Sequence, residues 1–160
     1  MQDPATYCLE VPQFCDTMDV RDAAVHEVRW AFYGYESVSG GQLVQEWFDG
    51  LLDEEKDEAL DTLGYLQALP LDLWAKPQFE ALGDGLSEIR FKVNSVKKTY
   101  RIYGFFWPQQ RRYSYTFLLG KEKKVKNDKR GVEEARKRLR KVRQFEVSIH
   151  AFKFSSGADR

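Results

Sequence analysis

Positively charged side chains crowd two stretches of this sequence. Arg90, Lys92, Lys97, Lys98 and Arg101 fall within a dozen residues, and Lys121-Glu122-Lys123-Lys124-Val125-Lys126 follows twenty residues later. Guanidinium groups make planar, bidentate contacts to phosphate, and ammonium groups add compact charge beside them. Suppose residues 86–93 and 99–107 form a hairpin through a two-residue turn at Ser95-Val96. Arg90 then lies opposite Arg101, Lys92 faces Thr99 and Glu88 faces Tyr103. Like charges placed directly across a ladder are destabilising. Either an anion sits between the guanidiniums, or Glu88 and acidic helix residues neutralise them, and both readings stay open. Tyr100, Tyr103, Tyr113 and Tyr115 are interleaved with these cations. Such rings can stack on unpaired bases, although half of them must belong to the core.

The set signals an RNA-binding face, and transfer at a phosphate there can be weighed from its residues. A dianionic phosphorane is stabilised by fixed positive charge beside its non-bridging oxygens. A general base works best with a pKa near the working pH, whereas free Lys sits at about 10.4. Crowding Lys121, Lys123, Lys124 and Lys126 disfavours the charged form of at least one of them. Tyr103 is a weaker candidate for proton transfer or base stacking. Other catalytic constellations are absent: the sequence has no helical His-Glu-x-x-His, no phosphate-binding Gly loop and no nucleophile elbow. The two histidines, His26 and His150, lie near the ends, and Cys8 and Cys15 are too few for a disulfide framework or a zinc site. We expect no metal, no cofactor and a reducing, cytoplasmic setting.

These residues must be positioned by one compact domain, since the chain has 160 residues. Its 42% hydrophobic and 31% charged composition is that of an ordinary globular protein. No apolar run approaches the roughly 20 residues that would span a bilayer, so no membrane association is expected. The net charge of zero conceals a partition. Residues 1–85 hold 18 Asp/Glu against four Lys/Arg, a formal charge of −14; residues 86–160 hold 21 Lys/Arg against seven Asp/Glu, or +14. Such asymmetry points to a polyanionic partner for the basic half, or to two halves that neutralise each other.

Residues 1–25 show no periodicity and read as a loosely ordered acidic extension, with Met18 a possible true start. Residues 28–35 read as a strand. Ser39-Gly40-Gly41-Gln42 has the spacing of a capping box, and Leu43, Val44, Trp47, Phe48, Leu51 and Leu52 then recur at helical intervals. Asp53 is placed to cap a second helix, whose apolar face runs Ala59, Leu60, Leu63, Leu66 and Leu69 before Pro70 stops it. A connector, 71–84, leads to three strands at 86–93, 99–107 and 113–120, the last two joined by a turn at 108–112. A basic loop, 121–130, enters a helix at 132–142, where the charge run Arg136 to Arg143 reads as a solvated face. Residues 145–154 read as a short extra strand before a frayed tail. The order β-α-α-β-β-β-α plus a C-terminal strand predicts an α+β sandwich, a helical hairpin on one face of a twisted antiparallel sheet. The domain proper spans 26–143, and 144–160 holds the extra strand and tail.

Four segments together resemble a known superfamily. They are Leu82-Gly83-Asp84-Gly85-Leu86-Ser87-Glu88-Ile89-Arg90, Tyr100-Arg101-Ile102-Tyr103, Lys123-Lys124 and Glu134-Ala135-Arg136-Lys137-Arg138-Leu139. The set is similar to the RelE/HigB superfamily of bacterial toxins, and within it to the phage-derived HigB-like branch. The chain departs from that pattern at Lys121, where members carry a bulky apolar residue, and in lacking a Pro before the last helix. The resemblance implies a RelE-like fold and the toxin of a type II toxin–antitoxin system. Such a toxin cleaves messenger RNA on the ribosome by metal-independent attack of a 2′-hydroxyl, and is held in check by a helix-turn-helix antitoxin. Carried over by position, it nominates Arg90, Arg101, Lys123 and Lys124 as catalytic. RNA contacts are expected from Lys92, Lys97, Lys98, Tyr103, Lys121 and Lys126. A non-catalytic RNA- or ribosome-binding protein of the same fold is the runner-up, and a protein-interaction module whose halves only neutralise charge is the third reading.

Overall fold

A computed structural model of the chain describes residues 29–107 and 113–154. The acidic extension at 1–25 with Met18, the residues Cys8, Cys15 and His26, the turn at 108–112 and the end of the tail lie outside the described residues. The elements run β1 (Ala31–Tyr35), α1 (Leu43–Asp49), α2 (Asp53–Gln67), β2 (Phe79–Gly83), β3 (Leu86–Val93), β4 (Lys98–Phe106), β5 (Ser114–Glu122), α3 (Lys129–Arg143) and β6 (Ile149–Ala151). A single 3-10 turn, Leu71–Leu73, follows α2. The result is an α+β fold of RelE type. No helix among the described residues is long and apolar enough to cross a membrane.

The six strands form one sheet in the order β2-β3-β4-β5-β1-β6. The β3–β4 hairpin has the register the spacing predicts: Arg90 opposite Arg101, Lys92 opposite Thr99 and Glu88 opposite Tyr103. The Lys97 N–H closes the turn onto the Asn94 carbonyl at 3.2 Å. Alternation fixes this register, because Ile89, Phe91 and Val93 are all buried on one face and a one-residue slip would turn all three to the other side. β1 runs parallel to β5, unlike the all-antiparallel sheet expected. A parallel neighbour requires a long crossover, and the whole chain from α1 to β4 provides it.

Apolar periodicity accounts for the layers. Val44 and Phe48 of α1 and Ala59, Leu63 and Leu66 of α2 cover Ile89, Phe91, Ile102, Tyr115 and Phe117, with Trp30 and Trp74 closing one end. α3 packs on the opposite face, where Ala135, Leu139 and Val142 meet Leu86, Tyr103, Phe105 and Leu118. The fold therefore has three layers rather than helices on one face. The charge run of α3 conceals an apolar stripe at i, i+4 and i+7, and such a stripe must be buried.

Local signals are revised in several places. A strand, β2, forms inside the expected connector; it is a five-residue, half-exposed edge strand with no clean alternation. α1 begins at Leu43 with Gln42 in the capping position and no side-chain cap. Ser39 makes no capping box, and it is the Ser37 hydroxyl that accepts the Gly41 N–H at 2.9 Å. Asp53 lies inside the first turn of α2, and Glu55 reaches back to the Leu52 N–H at 2.9 Å. β5 extends through Lys121 and Glu122, which were assigned to the basic loop. The final strand shrinks to three residues, with Phe145 in a left-handed conformation (φ 56°) outside it.

Candidate functional site

The face of the sheet beneath α3 carries a chain of charges that crosses four strands. Glu80 on β2 pairs with the Arg90 guanidinium on β3, and Arg90 Nε lies 3.2 Å from Glu88 Oε1. The other oxygen of Glu88 is 3.7 Å from Arg101 Nη1 on β4. Arg101 then donates to the Tyr103 hydroxyl and to the Val125 carbonyl, both at 2.9 Å. The Tyr103 hydroxyl donates in turn to Asp128 Oδ2 at 3.1 Å, and Lys121 Nζ on β5 meets the same oxygen at 2.9 Å. Strand pleating produces this line-up, because Glu88, Arg90, Arg101, Tyr103 and Lys121 occupy positions of one parity on adjacent strands. Asp128 joins it as the N-cap of α3, accepting the Gly131 N–H at 3.1 Å.

Burial sets the ionisation of this network. Desolvation pushes the Tyr103 phenol up to about 12 against the opposing pull of Arg101, so it stays neutral and serves as a donor to Asp128. Burial works to raise the Asp128 carboxyl too, but hydrogen bonds from Lys121, Gly131 and Tyr103 prevail and hold it below the usual carboxylate range. Glu80 is likewise lowered, chiefly by its hydrogen bond to Lys76. Three carboxylates thus balance Arg90, Arg101 and Lys121.

At the β5 end of this network the surface opens into a cleft of about 430 Å³. It is lined by Arg101, Lys121, Lys124, Glu122 and Asp128, with Trp47, Gly120 and Val125 as its apolar walls. Arg101 forms the floor, 3% exposed, and the loop after β5 forms the rim. The Lys123 N–H, bonded to the Thr99 carbonyl at 2.6 Å, ties that loop to β4. The cationic lining exceeds the anionic by one charge, and Lys123 and Lys126 on the same loop add two more. An anion entering here meets the Arg101 guanidinium, the Lys121 ammonium held on Asp128, and Lys124.

The nominated residues separate accordingly. Arg101, Lys121 and Lys124 converge on the cleft, while Lys123 and the exposed Lys126 belong to its rim loop. Arg90 is opposite Arg101 yet does not line the cleft, because Glu80 and Glu88 absorb its charge. Lys92, Lys97 and Lys98 are exposed at the turn end of the hairpin, the end to which the rim loop is tied through Lys123 and Thr99. Tyr103 has no exposed face and cannot stack on a base; Tyr100 and Tyr115 are buried as well, and Tyr113 alone of the four is exposed. Trp47 and Asp128 were missed by sequence reasoning. Trp47 reads as one more apolar position of α1, and Asp128 is separated from Lys121 by a loop whose path the sequence does not fix. The spacing Asp128-x-x-Gly131 at a helix start was the available signal for the cap. Among the described residues, no three His, Cys, Asp or Glu side chains gather as a metal ion would require.

The fold is that of an α+β protein of RelE type. Residues 46–140, more than half of the chain, match the family model of phage-derived Gp49-like proteins, and the chain belongs to that family. Neither a curated protein nor a solved structure matches it.

Proposed function

We propose that this protein is the toxin of a type II toxin–antitoxin system, a cytoplasmic, ribosome-dependent endoribonuclease restrained by a helix-turn-helix antitoxin. The observation that carries this reading is the cleft where Arg101, Lys121 and Lys124 face one open volume at the end of β5. In this reading a messenger RNA phosphate enters between Lys124 and Lys121 and settles towards Arg101. A ribose 2′-hydroxyl then attacks the adjacent phosphorus as it loses its proton; a 2′,3′-cyclic phosphate forms, the bond from phosphorus to the 5′-oxygen of the next nucleotide breaks, and that oxygen leaves as a hydroxyl, taking up one proton. Fixed positive charge on the non-bridging oxygens supplies the stabilisation, and one such donor is typically worth a hundredfold or more in rate. Arg90 acts as a positioning residue, holding Glu88 against Arg101. Lys123 and Lys126 on the rim, with Lys92, Lys97 and Lys98 on the hairpin, extend the basic surface towards RNA.

A second reading, RNA or ribosome binding without cleavage, is favoured by one observation: Arg90 and Arg101 are both engaged by carboxylates. One experiment separates the two. Expression of the full chain without a partner should arrest growth, and the double variant Lys121→Ala/Lys124→Ala should relieve the arrest. With translating ribosomes, messenger RNA should acquire new 5′ ends; protection without new ends establishes the binding reading. Unimpaired growth in the presence of folded wild-type protein overturns the toxin assignment.

A further inference from the structure

The sequence has four tryptophans, and the structure treats one differently. The indole N–H groups of Trp30 and Trp74 both donate to the Leu69 carbonyl, at 2.8 and 3.1 Å. That of Trp107 donates to Thr116 Oγ1 at 3.0 Å. Trp47 has no acceptor for its N–H among the described residues, is only partly buried, and is the tryptophan that lines the cleft. Its N–H is not among the buried polar atoms left without a partner, so the ring packs against the core while its polar edge reaches solvent.

Its seat is specific. The ring lies flat against Gly120, where a Cβ would fall 2.2 to 2.5 Å from three indole carbons. Glycine therefore lets the ring rest on the β5 backbone one residue before Lys121. The Tyr100 ring braces it from the side, with centroids 6.2 Å apart. One wall of the cleft is thus a supported aromatic plane, and Lys121 and Lys124 line the same space. An aromatic ring and cations lining one cleft supply the recognition chemistry of a nucleotide: base on ring, phosphate on ammonium.

We infer that Trp47 is the stacking surface for one unpaired base of a single-stranded RNA whose flanking phosphate is held by Lys121 and Lys124. The inference rests on the RNA reading of the cleft and deepens it. It gives the site a subsite that reads the presence of a base, where the buried Tyr103 cannot. The base contact is sequence-tolerant, because every base offers a π face.

The test is binding of the full chain, at low salt, to a short labelled single-stranded RNA and to the same oligonucleotide with abasic riboses, which keeps every phosphate. Wild-type protein should prefer the intact RNA. Trp47→Leu should weaken binding to it about ten- to a hundredfold and abolish the preference, and Trp47→Phe should retain most of both. Trp47→Phe keeps an aromatic ring in place, so it stays informative if the leucine variant melts early. Equal binding of intact and abasic RNA by the wild type, or a Trp47→Leu variant that binds as tightly as wild type, overturns the inference and leaves the RNA reading standing. A wild-type protein that binds neither oligonucleotide, free or in the presence of ribosomes, overturns both. Loss of antitoxin capture in Trp47→Leu with RNA binding unchanged reassigns the ring to a protein interface and overturns the inference as well.

Discussion

Arg101 is the residue on which the site turns, and its burial gives it two duties. Its guanidinium satisfies Glu88, the Tyr103 hydroxyl and the Val125 carbonyl, while its Nε is buried without a partner. Removing one member of a buried ionic cluster leaves the others unpaired, which typically costs about 3–5 kcal/mol. Arg101→Ala should therefore lower the urea midpoint by a corresponding amount. Arg90→Ala, whose side chain is 21% exposed, should cost less. The two denaturation curves check this ordering. It is also why a loss of toxicity in Arg101→Ala says little about chemistry, and why the exposed Lys124 is the better probe. Asp128 makes a pH prediction at the same scale. Its carboxyl is held low in the folded chain, so the unfolded chain binds the proton more readily and stability rises with pH. The contribution is present above the unfolded value, about 3.9, and is lost as pH falls through the folded one. Asp128→Asn should flatten the acid limb of stability against pH, measured as urea midpoints from neutral pH into the acid range. An unchanged limb would show that Asp128 is not held low.

Among the elements, α3 does more than cover the sheet. Its Arg136 donates to the Leu82 and Gly83 carbonyls at 3.0 and 3.1 Å, and Arg143 approaches the Asp84 carbonyl at 3.4 Å. The turn they grip runs through Gly83, Asp84 and Gly85, all with positive φ (93°, 53° and 82°). It joins β2, the edge strand, to β3, which carries Glu88 and Arg90. Arg136→Ala should loosen β2 without unfolding the sheet, raising amide hydrogen exchange several-fold relative to β4 at Glu80, which pairs with Glu88, and at Arg90, whose N–H donates to the Gln78 carbonyl at 2.7 Å. Uniform protection of both strands would refute the clamp. How much of this was legible differs by element. The β3–β4 register was readable, because buried Ile89, Phe91 and Val93 leave Arg90 and Arg101 no other parity. β2 was not: Phe79–Gly83 is short, half exposed and held by arginines more than fifty residues away. The segment around Gly83-Asp84-Gly85 contributed to the family resemblance, but its physical part, a turn of left-handed residues under a helix, appears only once α3 is in place.

At the scale of the molecule, the opposed charges of the two halves meet only in part. Glu80 takes Arg90, and the exposed Asp84 lies 3.8 Å from Arg136. Arg138 donates to the Leu118 carbonyl and so is engaged as well. Composition alone gave a basic half; it did not say which cations are engaged by their own fold, since that depends on pairings across β2–β5 and under α3. Among the described residues, two hollows keep surplus positive charge. One is the cleft with its rim. The other is a shallow groove of about 400 Å³ on the outer side of α3, lined by Arg130, Arg136, Lys137 and Arg140 with Glu133 and Glu134. Salt dependence distinguishes them, because each phosphate contact on a single strand contributes about −0.7 to the slope of log K against log salt. If RNA is held in the cleft, Lys121→Ala and Lys124→Ala should each make the slope shallower by roughly that amount, whereas Lys137→Ala on α3 should leave it unchanged. If RNA lies along α3 instead, the pattern inverts: Lys137→Ala flattens the slope and the two cleft variants do not. The comparison does not depend on cleavage, so it locates the RNA whether the protein cuts its strand or only holds it.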